Sequence, residues 1–201
     1  MSGDAKVALR ELVRGARAQR PAVEQARRAK LLAEVALGTE PVRAACARGR
    51  WVTAYAAMPG EPGTGPLLDR LLAAGAQVAL PIVRSGGVLA WGRYAGPASL
   101  TPGPRGIPEP AADLAEDADA LAALDPALLL IPATAVGVDG SRLGQGGGFY
   151  DRLLTGLRRH ADGGPWRIAL VHDEEVMATV PHESHDEQMD AIVTPSRFII
   201  V

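Results

Sequence analysis

The segment Leu128–Leu154, LLLIPATAVGVDGSRLGQGGGFYDRLL, decides how the chain folds. Its first four residues form an apolar run that stops at Pro132, as a buried strand does, because proline cannot donate a hydrogen bond to a sheet ladder. A loop rich in glycine follows. Apolar side chains then recur at the spacing of one helical face, at Tyr150, Leu153, Leu154 and Leu157. The segment therefore predicts a strand, a glycine-rich loop and a helix.

The glycine-rich loop has the composition of a phosphate site. Gly144 and residues 146–148, all glycines, flank Gln145. Without Cβ atoms, successive N–H groups can converge on an anion, and the following helix adds its positive dipole end. Arg142 supplies a permanent cation beside the loop. The segment lacks the GxxxxGK[ST] pattern of a P-loop, and Phe149 replaces the last glycine of a GxGxxG fingerprint. Composition alone leaves a structural turn equally open.

Length and composition indicate a single domain. A chain of 201 residues can bury a core without disulfides or metals, and we expect one domain over residues 1–201. The net charge of −2 favours neither nucleic acid nor an anionic membrane as a partner. Cys46 is the only cysteine, which excludes an internal disulfide and fits a reducing compartment. No apolar run has the length of a membrane span, so we expect a cytoplasmic protein.

Hydrophobic periodicity predicts the order of the elements. The first helix begins at Ser2 or Asp4 and carries an apolar stripe made of Val7, Leu9, Leu12 and Val13. A second helix runs from Pro21 to Gly38. Strands are predicted at 51–57, 78–83, 88–94, 128–131, 166–171, 189–193 and 198–201, and further helices at 67–72, 111–124 and 150–157. The strand, helix, strand order over 51–83 favours a right-handed parallel crossover.

Four side chains outside the central segment can be interpreted either as ordinary surface or core residues or as ligand-binding residues. Lys6 and Arg10 are spaced i, i+4 and can converge on one polyanion, whereas the other arginines of the first two helices are expected to form a solvated basic face. Glu61 lies in a loop of proline and glycine, where carboxylates are mostly exposed. Trp91 lies in the middle of a strand, where tryptophan more often belongs to the core than to a ligand platform.

Candidate metal ligands lie in two places. His182 and His185 are three residues apart just after Pro181, not on an HExxH helix, and no further soft ligand is near them, so we expect no zinc site. Asp151 opens the central helix. Acids are favoured in a first turn, so position alone leaves open whether this carboxylate stabilises the helix or binds a cation.

The full central string, Arg142-Leu-Gly-x-Gly-Gly-Gly-x-Tyr-Asp151-Arg152, resembles the signature of the 5-formyltetrahydrofolate cyclo-ligase family, with Pro132 ten residues ahead of Arg142. Four further elements match the family in order along nearly the whole chain: Lys6-x-x-Leu9-Arg10, Met58 with Glu61-x-x-Thr64, Gly106-Ile-Pro-Glu-Pro110, and Pro181-x-Glu183-x-x-Asp186-x-x-x-Asp190-x-x-x-Thr194. We expect the loop from Pro97 to Pro110 to form a wall of the cleft. The resemblance implies a three-layer α/β/α sandwich with a mostly parallel sheet, the NagB/RpiA/CoA-transferase-like fold.

The resemblance also implies the reaction. It is the cyclisation of 5-formyltetrahydrofolate to 5,10-methenyltetrahydrofolate, dependent on ATP and Mg²⁺, with release of ADP and phosphate. Transfer of the γ-phosphoryl group to the formyl oxygen would give an iminium phosphate that N10 of the folate attacks, so no covalent nucleophile of the enzyme is needed. The implied partners are these two small molecules, and we expect a monomer.

The family's site residues carry over to matching positions. Catalytic roles are implied for Lys6, Arg142 and Tyr150, and Mg²⁺ binding for Asp151 and Asp186. ATP contacts are implied for Lys6, Arg10, Arg142, Leu143, Gly144, Gln145, Gly146, Gly147, Gly148, Phe149 and Tyr150. Folate contacts are implied for Arg10, Met58, Glu61, Trp91, Gln145, Gly146, Gly147, Gly148, Phe149 and Tyr150. Trp91 stands where the family has the aromatic residue of its M-x-F element, and a pterin offers a flat face to stack on.

Three departures from the family pattern keep other functions open. Gly63 stands where many members have a second acid, Val136-Gly137 replaces a Phe-Asp pair, and Gln145 replaces a residue that is often aromatic or basic. One alternative is a nucleotide- or folate-binding protein without turnover, against which the retained cations and carboxylates argue. Another is a sugar-phosphate isomerase or CoA-transferase-like enzyme, which would need only an anion at the glycine loop.

Overall fold

The chain begins with three helices and continues with short strands among which further helices lie, in a computed structural model that describes residues 2–84, 88–111, 113–115, 117–183 and 186–201. His185, considered above as a zinc ligand, lies outside these residues. The helices are α1 (Ser2–Ala18), α2 (Ala22–Gly38), α3 (Glu40–Ala47), α4 (Gly65–Ala73), α5 (Ala118–Ala123) and α6 (Phe149–Thr155). The strands are β1 (Trp51–Thr53), β2 (Gln77–Val83), β3 (Leu89–Tyr94), β4 (Leu100–Pro102), β5 (Pro108–Pro110), β6 (Asp113–Ala115), β7 (Leu128–Pro132), β8 (Ala135–Gly137), β9 (Arg142–Leu143), β10 (Trp166–Leu170), β11 (Val176–Met177), β12 (Ala191–Val193) and β13 (Phe198–Ile200). None of the described helices has the length and apolarity needed to cross a bilayer.

One large sheet organises the molecule. Within the described parts of the chain it has eight strands, in the order β13–β12–β10–β7–β1–β2–β3–β6. The five central strands, from β12 to β2, are parallel to one another. The pairs β12–β13, β2–β3 and β3–β6 are antiparallel. The predicted α/β class with a mostly parallel sheet is therefore confirmed, and β1 and β2 are the parallel strands that α4 connects.

Strand β7 shows why the sheet is covered on both faces. Leu128 and Leu130 pack with residues of α2, α3 and α4, whereas Leu129 and Ile131 pack with residues of α5 and α6. All four side chains are completely buried. Successive side chains of a strand point to opposite faces, so an unbroken apolar run is typical of a strand with helices on both sides.

The chain leaves β1 and β7 towards opposite sides of the sheet. From β1 it continues through α4 into β2, and from β7 it continues through α6 into β10. Because β1 and β7 are adjacent parallel strands, the loops at their carboxyl ends diverge and leave a crevice between them. In open α/β sheets ligands bind at such a point.

Helix α1 packs through Leu9, Val13 and several of its long cations, so only half of the predicted apolar stripe faces inward. Val7 and Leu12 are 51% and 69% exposed, whereas Val13 and Arg17 are buried. Arg17 donates two hydrogen bonds, of 2.7 and 2.8 Å, to the carboxylate of Glu175. The predicted stripe is wrong for Val7 and Leu12, and the predicted solvated face is wrong for Arg17, because a guanidinium that finds a carboxylate can replace an apolar side chain in a contact.

Other differences from the predicted elements lie at short or mixed segments. The strand predicted over 51–57 ends at Thr53, and the chain from Ala54 onwards forms the crevice loop. The helix predicted over 111–124 is shortened to α5, because Asp117 accepts a hydrogen bond of 2.8 Å from the Ala120 N–H and caps a helix that begins there. The short strands β8 and β9 were not predicted, since two or three residues carry no periodicity.

Candidate active site

A cleft of about 330 Å³ opens at the carboxyl ends of β1, β2 and β7. Its described lining consists of Lys6, Arg10, Tyr55, Ala56, Met58, Glu61, Pro81, Val83, Leu89, Ile107, Glu109, Pro132, Arg142, Leu143, Gly144, Gln145, Gly146, Gly147, Gly148, Phe149, Tyr150, Asp151 and Asp186. Every predicted site residue except Trp91 is among them, and Ile107 and Glu109 form the predicted wall. Residues up to 180 positions apart in the sequence thus meet in one place, while their individual roles stay predictions.

The glycine-rich loop is held against the first helix. The Nε–H of Arg10 donates a 2.8 Å hydrogen bond to the carbonyl of Gly144. Gly146 and Gly148 have φ values of +101° and +66°, a region that side chains with a Cβ rarely adopt. A Cβ on Gly146 would also lie 3.4 Å from the Arg10 guanidinium carbon. The glycines therefore allow both the turn and the close approach of a cation to its backbone.

Two ion pairs lie in the cleft. The Nζ atom of Lys6 is 2.6 Å from Asp186 Oδ2, and Nη2 of Arg142 is 2.5 Å from Asp151 Oδ1. Arg142 is buried, and its Nε has no hydrogen-bond partner among the residues that the structure describes. Each cation is thus balanced by a carboxylate, and a polyanionic ligand could replace that carboxylate as its partner.

Asp151 lies close to the backbone beside Asp186. The backbone N–H of Glu187, which follows Asp186, points at Asp151 Oδ1 across 3.5 Å. No group of three or more His, Cys, Asp or Glu side chains that could hold a metal occurs in the described ranges. Mg²⁺ in nucleotide sites uses one or two carboxylates, phosphate oxygens and water, so two carboxylates fit a cation that arrives with a nucleotide better than a cation caged by protein alone.

Glu61 is buried, contrary to the expectation from its loop. Its Oε2 accepts a 2.9 Å hydrogen bond from the Met58 N–H, and its Oε1 accepts one of 3.2 Å from Nε2 of Gln145. The Oγ1 of Thr64 donates to the Tyr55 carbonyl at 2.6 Å and so closes the loop. The carboxylate is therefore fixed in the cleft, and Gln145 connects it directly to the glycine-rich loop.

Two tyrosines in the cleft have buried hydroxyls. Neither the Tyr55 nor the Tyr150 hydroxyl has a hydrogen-bond partner in the described part of the chain. Burial, followed by the nearby negative charge of Glu61, raises the pKa of both phenols above the usual range. Both stay neutral and can donate a hydrogen bond to a ligand. Sequence reasoning missed Tyr55, because nothing in a strand-like stretch indicates which side chain lies beyond the strand end.

The comparisons with known proteins indicate one enzyme family. The profile of the 5-formyltetrahydrofolate cyclo-ligase family matches residues 2–195. The chain belongs to this family. It is 40% identical over 162 residues to a 5-formyltetrahydrofolate cyclo-ligase of Mycolicibacterium smegmatis, covering 76% of this chain and 77% of the relative. It is 35% identical over 148 residues to the enzyme of the same name from Escherichia coli K12, covering 73% and 78%.

Two solved structures of 5,10-methenyltetrahydrofolate synthetases share the fold of this cyclo-ligase family member. The NMR structure from Aquifex aeolicus superposes with a TM-score of 0.78 at 24% identity, covering 97% of this chain and 92% of that one. The protein from Mycoplasma pneumoniae superposes with a TM-score of 0.67 at 18% identity, covering 94% and 98%. The common fold therefore extends over nearly the full length of each chain.

Two departures from the cyclo-ligase pattern have a steric reason. A Cβ on Gly63 would lie 2.9 Å from the Cβ of Ala29 in α2, so a second acid has no room there without movement of the helix. A Cβ on Gly137 would lie 2.2 Å from Oδ1 of Asp139, which accepts hydrogen bonds from the Ser141 N–H and hydroxyl. The carboxylate of Asp139 therefore fills the space beside Gly137.

Trp91 does not take the place of the cyclo-ligase aromatic residue in the cleft. Its side chain is completely buried and packs in the cluster that contains Leu129, Ile131 and Leu153. The expected stacking role is wrong in this structure, because β3 turns the indole towards the face that α5 and α6 cover. Phe149, which is half-buried, is the aromatic side chain of the glycine-rich loop that lines the cleft.

Proposed function

We propose that this chain, as a single domain over residues 1–201, cyclises 5-formyltetrahydrofolate to 5,10-methenyltetrahydrofolate with consumption of ATP. The observation that carries the proposal is the juxtaposition of two cations, Lys6 and Arg142, with two carboxylates, Asp151 and Asp186, beside the glycine-rich loop. The names of the family and of the relatives support the same reaction. The activity of a ligase in this family requires a phosphate site, a cation site and a folate pocket in one cleft.

The chemistry starts from a poor electrophile. The formyl group on N5 is amide-like, and its oxygen leaves badly. Transfer of the γ-phosphoryl group of ATP to that oxygen releases ADP and gives an iminium phosphate. N10 of the same folate then attacks the formyl carbon, the N10–C bond closes the ring, and phosphate departs with the formyl oxygen while N10 loses its proton to solvent. The enzyme contributes alignment and neutralisation of charge, which dominate catalysis of phosphoryl transfer.

We assign the phosphates to Lys6, Arg10 and Arg142. Lys6 and Arg142 exchange their carboxylate partners for phosphate oxygens when ATP binds, while Arg10 remains beside the Gly144 carbonyl. The exchange leaves Asp151 and Asp186 able to hold Mg²⁺. Bound there, the cation neutralises phosphate charge.

We assign the folate to the part of the same cleft that surrounds Glu61. Glu61 is an acceptor-only carboxylate with a fixed position and suits the N–H groups along a pterin edge. The neutral hydroxyls of Tyr55 and Tyr150 act as donors to the same ligand. Met58 and the wall residue Ile107 cover its apolar surface. The pocket therefore combines an apolar wall with a few convergent polar groups, as small-molecule sites usually do.

The finer classification follows from the same proposal. The sheet with helices on both faces is assigned to the three-layer α/β/α sandwich of the NagB/RpiA/CoA-transferase-like class. The protein acts as a cytoplasmic monomer whose partners are 5-formyltetrahydrofolate and ATP. Gel filtration coupled to light scattering measures the monomer directly, and a molecular mass near twice 20.9 kDa would contradict it.

The experiment that tests the function is a spectrophotometric assay for methenyltetrahydrofolate. Purified protein is mixed with 5-formyltetrahydrofolate in the presence of Mg²⁺ and ATP, of Mg²⁺ and AMP, and of ATP with EDTA. We expect product only in the first mixture, together with one ADP for each product molecule. Folded protein that binds ATP without forming product would refute the enzyme and favour a binding protein.

A further inference from the structure

Arg167 in β10 is buried and joins two segments of the cleft wall. The residue is only 2% exposed. Its Nη2 donates to the carbonyls of Leu154 and Leu157, at 3.1 and 2.8 Å, at the end of α6. Its Nη1 donates to the carboxylate of Glu187 at 2.7 Å. One guanidinium thus connects the last turn of a helix to a loop that is 20 residues away in the sequence.

These two segments carry the two carboxylates assigned to the cation. Asp151 lies in the first turn of α6, and Asp186 directly precedes Glu187. A second contact closes the connection, because the Glu187 N–H faces Asp151 Oδ1 at 3.5 Å. Helix α6 is therefore tied to the loop at both of its ends, at the first turn through Asp151 and at the last through Arg167.

The choice of residue type indicates more than packing. A buried guanidinium must be desolvated, and an apolar side chain would fill the same space between β10 and α6 without that penalty. An apolar side chain cannot donate hydrogen bonds. The planar guanidinium donates to two carbonyls and a carboxylate in one fixed geometry. The guanidinium therefore fixes where the loop lies relative to the helix.

We propose that Arg167, acting through Glu187, is a positioning residue that sets the separation of Asp151 and Asp186 and so the affinity for the divalent cation that accompanies the nucleotide. The proposal rests on the proposed function, which assigns these two carboxylates to the cation. It concerns neither the phosphate contacts nor the folate pocket, since Arg167 lies outside the cleft lining.

The test measures cation binding apart from turnover. Mn²⁺ replaces Mg²⁺, a non-hydrolysable ATP analogue replaces ATP, and the free Mn²⁺ signal in electron paramagnetic resonance gives the Kd. We compare Arg167→Lys and Glu187→Gln with Arg159→Met as a matched control. Arg159 is also paired with Glu187, at 3.5 Å, but its side chain is 53% exposed and donates no hydrogen bond to α6 among the described residues.

Arg167→Lys and Glu187→Gln should each raise the Kd of Mn²⁺ about tenfold, as the loss of a group that orients a metal ligand usually does, and leave the KM for 5-formyltetrahydrofolate unchanged. Arg159→Met should leave both values unchanged. Unaltered Mn²⁺ affinity in Glu187→Gln overturns the proposal, even if Arg167→Lys fails to fold. If the unmodified protein binds the ATP analogue but no Mn²⁺, the cation site of the proposed function is refuted. The positioning role of Arg167 is then refuted as well.

Discussion

The Nζ atom of Lys6 lies 2.6 Å from Oδ2 of Asp186, and this contact joins the first helix to the loop before β12 across 180 positions of sequence. If Lys6 binds phosphate when ATP enters, Lys6→Met should raise the KM for ATP about ten- to hundredfold, since a hydrogen bond to a charged group contributes about 1.5–3 kcal/mol. Lys30→Met is the control, because Lys30 is the only other lysine and is exposed on α2. Steady-state kinetics with varied ATP decides, and equal KM values in both variants would remove Lys6 from the phosphate site.

Gln145 links the glycine-rich loop to Glu61 through a hydrogen bond of 3.2 Å. Gln145→Leu removes this bond and leaves a buried carboxylate oxygen without its donor. We expect the KM for 5-formyltetrahydrofolate to rise about three- to tenfold, the equivalent of one net hydrogen bond, with a smaller change for ATP. Gln25→Leu, which removes a side-chain bond on α2 far from the cleft, is the control. A KM for the folate that stays at its original value would show that Gln145 does not support Glu61.

Arg17 and Glu175 form a buried pair that fastens α1 to the rest of the chain. Arg17→Met leaves the carboxylate buried without its partner and should lower the free energy of unfolding by about 3–5 kcal/mol. Arg27→Met breaks an exposed pair with Glu24 on α2 and should lower the free energy of unfolding far less, since exposed ion pairs contribute little. Urea unfolding followed by circular dichroism measures both changes. Similar losses of unfolding free energy in the two variants would mean that the buried Arg17 pair stabilises the protein no more than an exposed pair does.

Trp91 belongs to the core and not to the ligand pocket. Trp91→Phe should lower the free energy of unfolding by about 1–3 kcal/mol, as typical core substitutions do, and leave the KM for 5-formyltetrahydrofolate unchanged. Phe149→Leu is the comparison, because this side chain lines the cleft and its replacement should affect the KM more than the stability. A large rise of the KM in Trp91→Phe, with stability intact, would return the indole to the folate site.

Stability should fall in mild acid because of His172. Burial lowers the pKa of this imidazole to about 4, whereas the unfolded chain has the usual value of about 6.5. Between these values the unfolded state binds a proton that the folded state does not, so the free energy of unfolding decreases as the pH falls through this window. His172 alone should contribute a loss of about 2 kcal/mol between pH 7 and pH 5.

The control for this prediction is His172→Gln, which cannot titrate. Urea unfolding at pH 7 and pH 5 is compared for the two proteins, so that the contribution of all other groups cancels. The pH-dependent loss should be smaller in the variant by the amount assigned to His172. An identical loss in both proteins would show that another group is responsible.

Each part of the fold that was predicted correctly has a strong local pattern in its sequence. The apolar run of β7 and the glycines before α6 dictate their structure within a few residues, and the cleft follows from where they meet β1. Trp91 was placed wrongly because the two faces of β3 are both apolar in sequence, and only the packing of α5 and α6 determines which face holds the indole. The burial of Glu61 likewise depends on Gln145, which lies 84 positions away.

The first helix exposes a more general limit of hydrophobic periodicity. Its inward-facing positions include Lys6, Arg10, Val13 and Arg17, and these positions are three or four residues apart, as on one face of a helix. The apolar pattern identified Leu9 and Val13 correctly but also included the exposed Val7 and Leu12, because it does not count cations. The i, i+4 spacing of Lys6 and Arg10 did indicate an inward face, and Arg17, which lies four residues after Val13, extends it.

The hydrogen bonds of α1 to the body of the molecule have a consequence for biosynthesis. Lys6, Arg10 and Arg17 pair with residues that lie between 116 and 180 positions later. A ribosome therefore releases this helix long before it has made anything for those cations to bind. The cleft can be completed only when the last fifth of the chain has emerged, so every shorter nascent chain should be inactive, however much of its sheet has already formed.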